Sequence, residues 1–117
     1  MLTVPGKHAR VFVRPGPTDM RKQINGLAVL VEQELELSPF SEAVFLFCNR
    51  ERRILKALFW DRTGFCLWHK RLEKHRFPWP QRSEDVVREI DAERLGMLLA
   101  GIDFWSAHQR LEYRRIS

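Results

Sequence analysis

Residues 43–80 decide the fold of this chain, and they read AVFLFCNRERRILKALFWDRTGFCLWHKRLEKHRFPWP. Short apolar runs rich in Phe, Trp and Val occupy residues 43–47, 54–60 and 65–72, with charged or glycine-containing segments between them. Such runs are typical of β-strands at hairpin spacing. Asp61 and Gly64 stand at the first and fourth positions of a type I turn between the last two runs. We therefore predict an antiparallel β-meander.

Residues 19–36 predict a long N-terminal helix that ends before Pro39. Its apolar residues recur three and four apart, at Met20, Ile24, Leu27 and Val31. Thr18 is placed as its N-cap. Arg21 and Lys22 then lie in the first turn, where free backbone N–H groups already create a positive potential. This arrangement is either an ordinary threonine cap with solvated cations or a phosphate site at residues 18–22.

The rest of the chain adds two short strands and a second helix. Residues 10–14 predict a strand closed by Pro15-Gly16-Pro17, and residues 86–90 predict another. Asp91 is placed as the cap of a C-terminal helix that ends near Gly101. The apolar face of this helix consists of Leu95, Leu98, Leu99 and Ile102.

Together these elements predict one small α+β domain over residues 1–105, followed by a polar, mobile tail at residues 106–117. In this domain one long N-terminal helix and one C-terminal helix pack on one face of a small antiparallel meander sheet. The sequence has no apolar run of membrane-spanning length and no signal-peptide region, so we expect a cytoplasmic chain without membrane contact. Its oligomeric state is open, and a homo-oligomer is one possibility.

The positive charge of the chain is concentrated in the meander. Residues 50–76 contain nine Lys or Arg and three acids, a net charge of +6, against +5 for the whole chain. The nine are Arg50, Arg52, Arg53, Lys56, Arg62, Lys70, Arg71, Lys74 and Arg76. A basic patch with interleaved aromatic residues is the footprint of a nucleic-acid binder. The ordinary alternative is a sheet that uses Lys and Arg to protect its edges.

Four tryptophans are more than the core of so small a domain requires. Trp60, Trp68 and Trp79 are close in sequence to Lys and Arg, where indole rings can stack on unpaired bases or on guanidinium planes. Core or interface packing is the commoner role for any one of them. As a set they favour a binding face, and His75 either extends the basic patch or stacks on a base.

The sequence shows no recognisable catalytic or metal-binding spacing. Cys48 and Cys66 do not make a disulfide framework, and two buried thiols are commoner than a partial zinc site. A metal-dependent nuclease requires two or three acids around the scissile phosphate. The acidic candidates are Asp19, Asp61, Glu73 and Asp103, without such a spacing. We expect no enzyme activity, metal or cofactor in this chain.

Short segments spread along the chain carry further information. They are TDMRK at 18–22 followed by Gly26-Leu27, Lys56 with LFWD at 58–61, GFCLW at 64–68, KRLE at 70–73, RFPWP at 76–80 and LLAGID at 98–103. Together they resemble the TnpB-type accessory proteins of the IS66 family of bacterial insertion sequences. At position 75 this chain has His, whereas the family commonly has Gly at the corresponding position. The resemblance implies a role in transposition beside a separate, larger transposase that carries the acidic catalytic residues.

Two hypotheses about function follow. The first is a non-catalytic factor that binds DNA, at element ends or in a strand-exchange complex, through the sheet face of residues 50–76 and the helix start at 18–22. Its candidate DNA-binding residues are Arg21, Lys22, Arg50, Arg52, Arg53, Lys56, Trp68, Lys70, Arg71, Lys74, His75, Arg76 and Trp79. The second is a protein-interaction module that docks on the transposase, with residues 78–80 and 104–105 as aromatic anchors.

Overall fold

Seven elements make up the part of the chain that the structure, a computed structural model, describes: residues 9–105. The strands are β1 (Val11–Val13), β2 (Val44–Cys48), β3 (Ile54–Asp61), β4 (Gly64–Arg71) and β5 (Arg88–Ile90), and the helices are α1 (Ile24–Gln33) and α2 (Ala92–Leu99). Within these residues neither helix has the length and apolar character needed to cross a bilayer. The predicted tail at 106–117 lies outside the described residues.

The five strands form one mostly antiparallel sheet in the order β4-β3-β2-β1-β5. β2, β3 and β4 are antiparallel neighbours, which confirms the predicted meander. β5 confirms the strand predicted over residues 86–90 in a shorter form, paired antiparallel with β1. β1 and β2 run parallel, with α1 as the crossover connection that a parallel pair needs. The local sequence pattern does not predict this βαβ unit, because it carries no information on strand direction.

Both faces of the sheet are covered. α1 packs on one face, in a cluster that includes Phe45, Phe47 and Leu58. α2 packs on the other face together with Phe77 and Trp79. The expectation that the helices cover a single face is therefore wrong. All five residues of β2 are buried, so both of its alternating sets of side chains are apolar and each set needs a covering layer.

The N-terminal helix is shorter than predicted and begins later. It has ten residues, Ile24–Gln33, and Gln23 is its N-cap, without a side-chain capping hydrogen bond. Thr18 is buried, and its backbone N–H donates to the carbonyl of Cys48 at 2.8 Å, which holds residues 18–22 against the end of β2. The predicted helix start at Thr18 is wrong, so the predicted phosphate site there loses the helical N–H donors on which it was based.

The second helix agrees better with its prediction. The carboxylate of Asp91 caps it by accepting a backbone N–H of the first turn at 2.8 Å. Gly101, at φ +80°, ends it, and the N–H of Ile102 donates back into the last turn at 2.9 Å, as in a Schellman motif. Leu95 and Leu98 are buried as predicted. Ile102 lies past the helix end and is 55% exposed, so its predicted place on the buried face is wrong.

The turn between β3 and β4 differs from the predicted type I. Asp61 and Gly64 are paired across it, so the turn consists of two residues. Arg62, the first of these, has φ +50°, whereas a type I turn requires a negative φ at that position. Two-residue hairpins favour turns with positive φ because their twist matches that of the strands. The expectation of a type I turn is wrong for this reason.

Asn49 organises the loop between β2 and β3. Its Oδ1 accepts hydrogen bonds from the backbone N–H groups of Arg53 and Ile54, at 2.9 and 3.0 Å. Its backbone carbonyl accepts a hydrogen bond from the N–H of Arg52 at 3.0 Å. The Asn49 side chain therefore fixes the backbone of a loop that carries three arginines, Arg50, Arg52 and Arg53.

Replacement of Asn49 by alanine leaves two part-buried backbone N–H groups without their acceptor. We expect Asn49→Ala to lower the free energy of unfolding by about 1–3 kcal/mol, measured by urea denaturation. Arg50→Ala, an exposed change in the same loop, is the matched control and is expected within about 0.5 kcal/mol of the wild type. Equal stability of the two variants would show that the loop does not depend on the Asn49 amide.

Candidate nucleic-acid interface

Three connecting segments meet at one end of the sheet: the segment after β1, the β2–β3 loop and the segment after β4. β1, β2 and β4 end there and β3 begins there, as the strand pairing requires. Backbone hydrogen bonds of 2.7–2.9 Å join these segments, from the N–H of Gly16 to the carbonyl of Pro80, Thr18 to Cys48, Leu72 to Arg53 and Phe77 to Arg52. The loops are therefore held in place by the sheet and by one another.

This end of the sheet is strongly basic. We define the basic end as residues 19–22, 50–53 and 71–76 together with Arg82. It contains nine Lys or Arg and three acids, a net charge of +6. The cations are Arg21, Lys22, Arg50, Arg52, Arg53, Arg71, Lys74, Arg76 and Arg82, and the acids are Asp19, Glu51 and Glu73. Arg62, which the sequence places in the same patch, lies at the opposite end of the β3–β4 hairpin.

The cations of the basic end differ in whether they have a partner. Arg21 is ion-paired with Asp19 at 2.7 Å and Arg71 with Glu73 at 3.0 Å. Arg53 donates to the backbone carbonyl of Glu73. The other six side chains are exposed, and within residues 9–105 none of them donates a hydrogen bond or forms an ion pair. These six are Lys22, Arg50, Arg52, Lys74, Arg76 and Arg82.

Away from the basic end, most described arginines have an acidic partner. The pairs are Arg10 with Glu89 at 2.7 Å, Arg14 with Glu34 at 2.6 Å and Arg94 with Asp91 at 2.9 Å. The exceptions are Arg62, exposed in the β3–β4 turn, and Arg88 at the start of β5. Within residues 9–105, unpaired positive charge is thus concentrated at the basic end, which the total charge of the chain does not reveal.

Arg21 keeps Asp19 ionised. The guanidinium and the backbone N–H of Arg21 both donate to the Asp19 carboxylate, at 2.7–3.1 Å. These hydrogen bonds, above all those from the guanidinium, lower the pKa of Asp19 to about 2 from its ordinary value near 3.8. The two charges cancel at neutral pH, so Lys22 provides the net positive charge of this segment.

Arg52 has a backbone conformation that arginine rarely adopts. Its φ is +61°, in the left-handed region that costs a residue with a side chain about 1–2 kcal/mol. Glycine fits the same turn at a lower cost. Because the Arg52 guanidinium is exposed and unpaired, its charge does not stabilise the loop. Local strain of this kind is typical of residues that serve binding.

A shallow groove follows the basic end. It consists of three adjoining cavities of about 640, 460 and 350 Å³. The first and second share Pro17, Asn49 and Arg50, and the second and third share Arg52 and residues 79–82. Arginines line its whole length: Arg21, Arg50, Arg52, Arg82 and Arg88. Such a groove suits a chain of anionic groups.

Two lysines that the sequence assigns to DNA binding are engaged by the protein itself. Lys56 is 5% exposed, and its Nζ donates to the carbonyls of Met20 and Lys22 at 2.9 and 3.0 Å. Burial therefore contradicts the expected phosphate contact of Lys56. Lys70 donates to the carbonyl of Leu99 at 2.9 Å, at the C-terminus of α2, where the helix dipole favours a cation. Lys56 thus holds the segment before α1 against the sheet, and Lys70 holds the end of α2 there.

The tryptophans expected to stack on bases also belong to the interior. Trp79 is 7% exposed, and its indole N–H donates to the carbonyls of Arg14 and Gly16 at 2.9 and 3.2 Å. Its burial leaves no ring face open to a base, which contradicts the expected stacking. Trp68 is partly buried against the cluster under α2. Of the three side chains predicted to stack, only His75 is exposed.

The two cysteines are free and lie far apart on one sheet face. Cys48 is opposite Leu55 and Cys66 is opposite Phe59, four positions further along β3, a separation of about 14 Å along the strand. They share neither a disulfide nor a metal site. Burial raises the pKa of the Cys48 thiol to about 12, so it is unreactive at neutral pH. Within residues 9–105 no three His, Cys, Asp or Glu side chains are grouped to hold a metal ion.

Comparison with known proteins assigns the chain to a family. The family model described as IS66 Orf2 like protein matches residues 9–109. The chain belongs to the IS66 Orf2-like family. In Sinorhizobium fredii (strain NBRC 101917 / NGR234), the uncharacterized protein y4hO is 37% identical over 99 residues, 85% of each chain, and the uncharacterized protein y4jC is 31% identical over 111 residues, 95% of this chain and 93% of the relative. No solved structure matches significantly.

Family membership confirms the resemblance found in the sequence. An IS66 Orf2-like protein belongs to an insertion sequence, which indicates a role accessory to transposition. Both relatives are described as uncharacterized, so their descriptions add no molecular activity.

The groove of this IS66 Orf2-like chain includes Arg82, Arg88 and Trp105, which sequence reasoning did not place in a DNA-binding site. They follow the end of the meander at Arg71 by 11 to 34 residues and lie beyond the basic stretch at 50–76. The only local signal is the extended segment at 77–80. The carbonyl of Pro80 accepts a hydrogen bond from the N–H of Gly16, and this contact brings Arg82 back to the basic end. Long-range contacts of this kind are not visible in a local pattern.

The Asp19–Arg21 pair gives a measurable pH effect. We expect Arg21→Gln to raise the pKa of Asp19 from about 2 toward 3.8, followed by carboxyl ¹³C NMR, because the guanidinium is the main cause of the lowered value. In the wild type this interaction favours the folded state above about pH 4 and is lost as the pH falls toward 2. Lys22→Gln, which removes a minor contribution, is the control; a pKa still near 2 in Arg21→Gln would refute this assignment.

Proposed function

We propose that this chain is a non-catalytic accessory factor in transposition that binds DNA, at the ends of its insertion sequence, through the groove of the basic end. The proposal is carried by one observation: a groove at the basic end is lined by five arginines, and three of them, Arg50, Arg52 and Arg82, are among the six exposed cations that have no partner within residues 9–105. DNA phosphates supply regularly spaced anions, whose binding releases counterions. Arginine suits them because its planar fork donates two parallel hydrogen bonds to one phosphate.

The proposed surface consists of loops and not of a sheet face. Helices cover both faces of the sheet, and the exposed cations of the basic end lie in loops. Lys22, Arg50, Arg52, Lys74, His75 and Arg76 remain from the set predicted by the sequence, and Arg82 joins them. Arg21, Arg53 and Arg71 have partners within the protein and are secondary contributors.

The positioning of the loops supports this function. Backbone hydrogen bonds between the segments fix the backbone that carries the cations before any ligand arrives, which lowers the backbone entropy lost on binding. Contacts to phosphates position a protein on DNA but carry no base information. We therefore assign affinity to these cations, and we assign sequence selection to contacts outside them.

The proposal assigns no chemical step to this chain. A nuclease needs acids that are available to hold divalent cations at the scissile phosphate. At the basic end, Asp19 and Glu73 are each ion-paired with an arginine. Their carboxylates neutralise local charge, which fits a binding surface better than a cleavage site.

Salt dependence tests the proposal. If about six phosphates are neutralised, the logarithm of the affinity for duplex DNA falls with the logarithm of salt concentration with a slope of about −5. We would measure fluorescence anisotropy with labelled element-end DNA, scrambled duplex and single strands at several salt concentrations. A slope close to zero would exclude a phosphate-binding function.

Charge reversal tests the location of the surface. Arg52→Glu and Arg76→Glu are each expected to weaken binding and to make the salt slope shallower by about 1 or more. Arg62→Glu is the matched control, since it makes the same charge change at an exposed arginine of the opposite end. Equal losses for Arg52→Glu and Arg62→Glu would show that net charge, and not the basic end, determines binding.

A second candidate function is docking on the transposase subunit of the same element. Phe40, Trp60 and Phe65 form an aromatic cluster beside the β3–β4 turn, with ring centroids 5.0–5.3 Å apart, and Phe40 is 57% exposed. Aromatic residues are enriched at interface hot spots. The anchors predicted from the sequence do not fit this role, because Trp79 and Phe104 are buried in the core.

Pull-down of the transposase separates the two functions. If the cluster is the docking site, Phe40→Ala lowers capture by about 30-fold, as expected for a hot-spot residue, while Arg52→Glu has little effect. Val29→Ala, at a residue of α1 that is 50% exposed, is the control for loss of an exposed apolar side chain. Undiminished capture by Phe40→Ala would reject this docking surface.

A further inference from the structure

Arg88 is a partly buried cation at the far end of the groove. It begins β5 opposite Val13, on the sheet face that α2 covers. Its Nε is buried, and no atom within residues 9–105 accepts a hydrogen bond from it. Buried N–H groups of charged side chains almost always have an acceptor, and an unpaired one destabilises the fold. A ligand that supplies the acceptor would remove this penalty.

Three guanidinium groups from three separate segments line one cavity, and Arg88 provides one of them. Arg52 comes from the β2–β3 loop and Arg82 from the segment after β4, and the cavity has a volume of about 350 Å³. Trp105 forms one wall, with its ring centroid 5.6 Å from the Cζ of Arg88. Its indole N–H donates to the carbonyl of Pro78 at 2.7 Å, which fixes the ring.

The cavity carries a net positive charge. Asp103 also lines it, so three arginines and one aspartate give a net charge of +2. The Oδ1 of Asp103 accepts the backbone N–H of Trp105 at 3.0 Å, which assigns at least part of this carboxylate to the local turn. Planar cationic donors around a small space favour an anion with several oxygen acceptors.

We propose that this cavity is a phosphate-binding site, with Arg88 as its buried donor and Arg52 and Arg82 as its exposed donors. The inference rests on the proposed function and specifies one contact of it: a single phosphate group of DNA is held at this end of the groove. A phosphate has enough oxygen acceptors for all three guanidinium groups. An internal phosphodiester and a 5′-terminal phosphate present the same chemistry, and the terminal group carries the larger charge at neutral pH.

Titration of the wild-type chain with inorganic phosphate tests the site directly. We expect the Nε–Hε resonance of Arg88 and the indole N–H resonance of Trp105 to shift in ¹⁵N NMR, because phosphate supplies the missing acceptor beside the ring. The Arg62 Nε–Hε resonance should stay in place, and sodium chloride at equal ionic strength should not reproduce the shifts. An Arg88 resonance that does not move at phosphate concentrations that shift Arg50 would overturn the proposal.

Conservative variants test the same site with DNA. Arg88→Lys keeps the charge but loses the Nε donor and the planar fork, so duplex affinity should fall about 10-fold. Arg62→Lys, the matched control, should bind like the wild type. A gain in wild-type affinity from a 5′-phosphate that Arg88→Lys abolishes would identify a terminal phosphate as the ligand. Equal losses with 5′-phosphate and 5′-hydroxyl DNA would identify an internal one.

The two proposals fail in different ways. A salt slope near zero in the wild type would remove the function of the basic end as a whole. A steep slope together with unchanged affinity of Arg88→Lys for both kinds of DNA end would remove the phosphate site alone. The urea midpoint of Arg88→Lys verifies its fold, and the NMR titration uses only the wild-type chain.

Discussion

A sheet that is apolar on both faces has to be covered on both faces, and this requirement governs the rest of the molecule. The crossover between the parallel strands β1 and β2 supplies α1 as one layer. The chain after β4 has to return under the other face, where Phe77, Trp79 and α2 form the second layer. The cations that have no partner within residues 9–105 therefore lie mostly in the loops at one end of the sheet. The basic end is a result of this layering as well as of composition.

Much of the fold can be predicted from the local sequence pattern, and the errors of that prediction have identifiable physical causes. The three strands of the meander and the Asp91 cap of α2 are visible in the sequence because each depends on neighbouring residues. The start of α1 is not, because Thr18 is held in other contacts: its hydroxyl accepts a hydrogen bond from Arg14, and its N–H donates to Cys48, thirty positions away, so its side chain does not cap the helix. The parallel pairing of β1 with β2 is likewise a property of the whole topology.

The sequence predicts the positive charge of the site well, but it predicts less well which residues belong to the site. The sequence identifies a basic region, but it does not show that Lys56 points into the protein toward the carbonyls of Met20 and Lys22. The sequence pattern of a lysine in an otherwise apolar strand is the same whether its ammonium group points to solvent or donates to backbone carbonyls. Arg82 and Arg88 reach the groove only through the return of the chain after β4, which distance along the sequence hides.

The left-handed conformation of Arg52 has a consequence for engineering this protein. Selection for heat resistance alone favours any residue that relieves backbone strain, and glycine is the simplest replacement at a positive φ. Such a variant gains thermal tolerance while it loses a cation from the groove. Melting temperature is therefore a misleading criterion for ranking a library at this loop, and variants selected there have to be sorted by retention of nucleic acid as well.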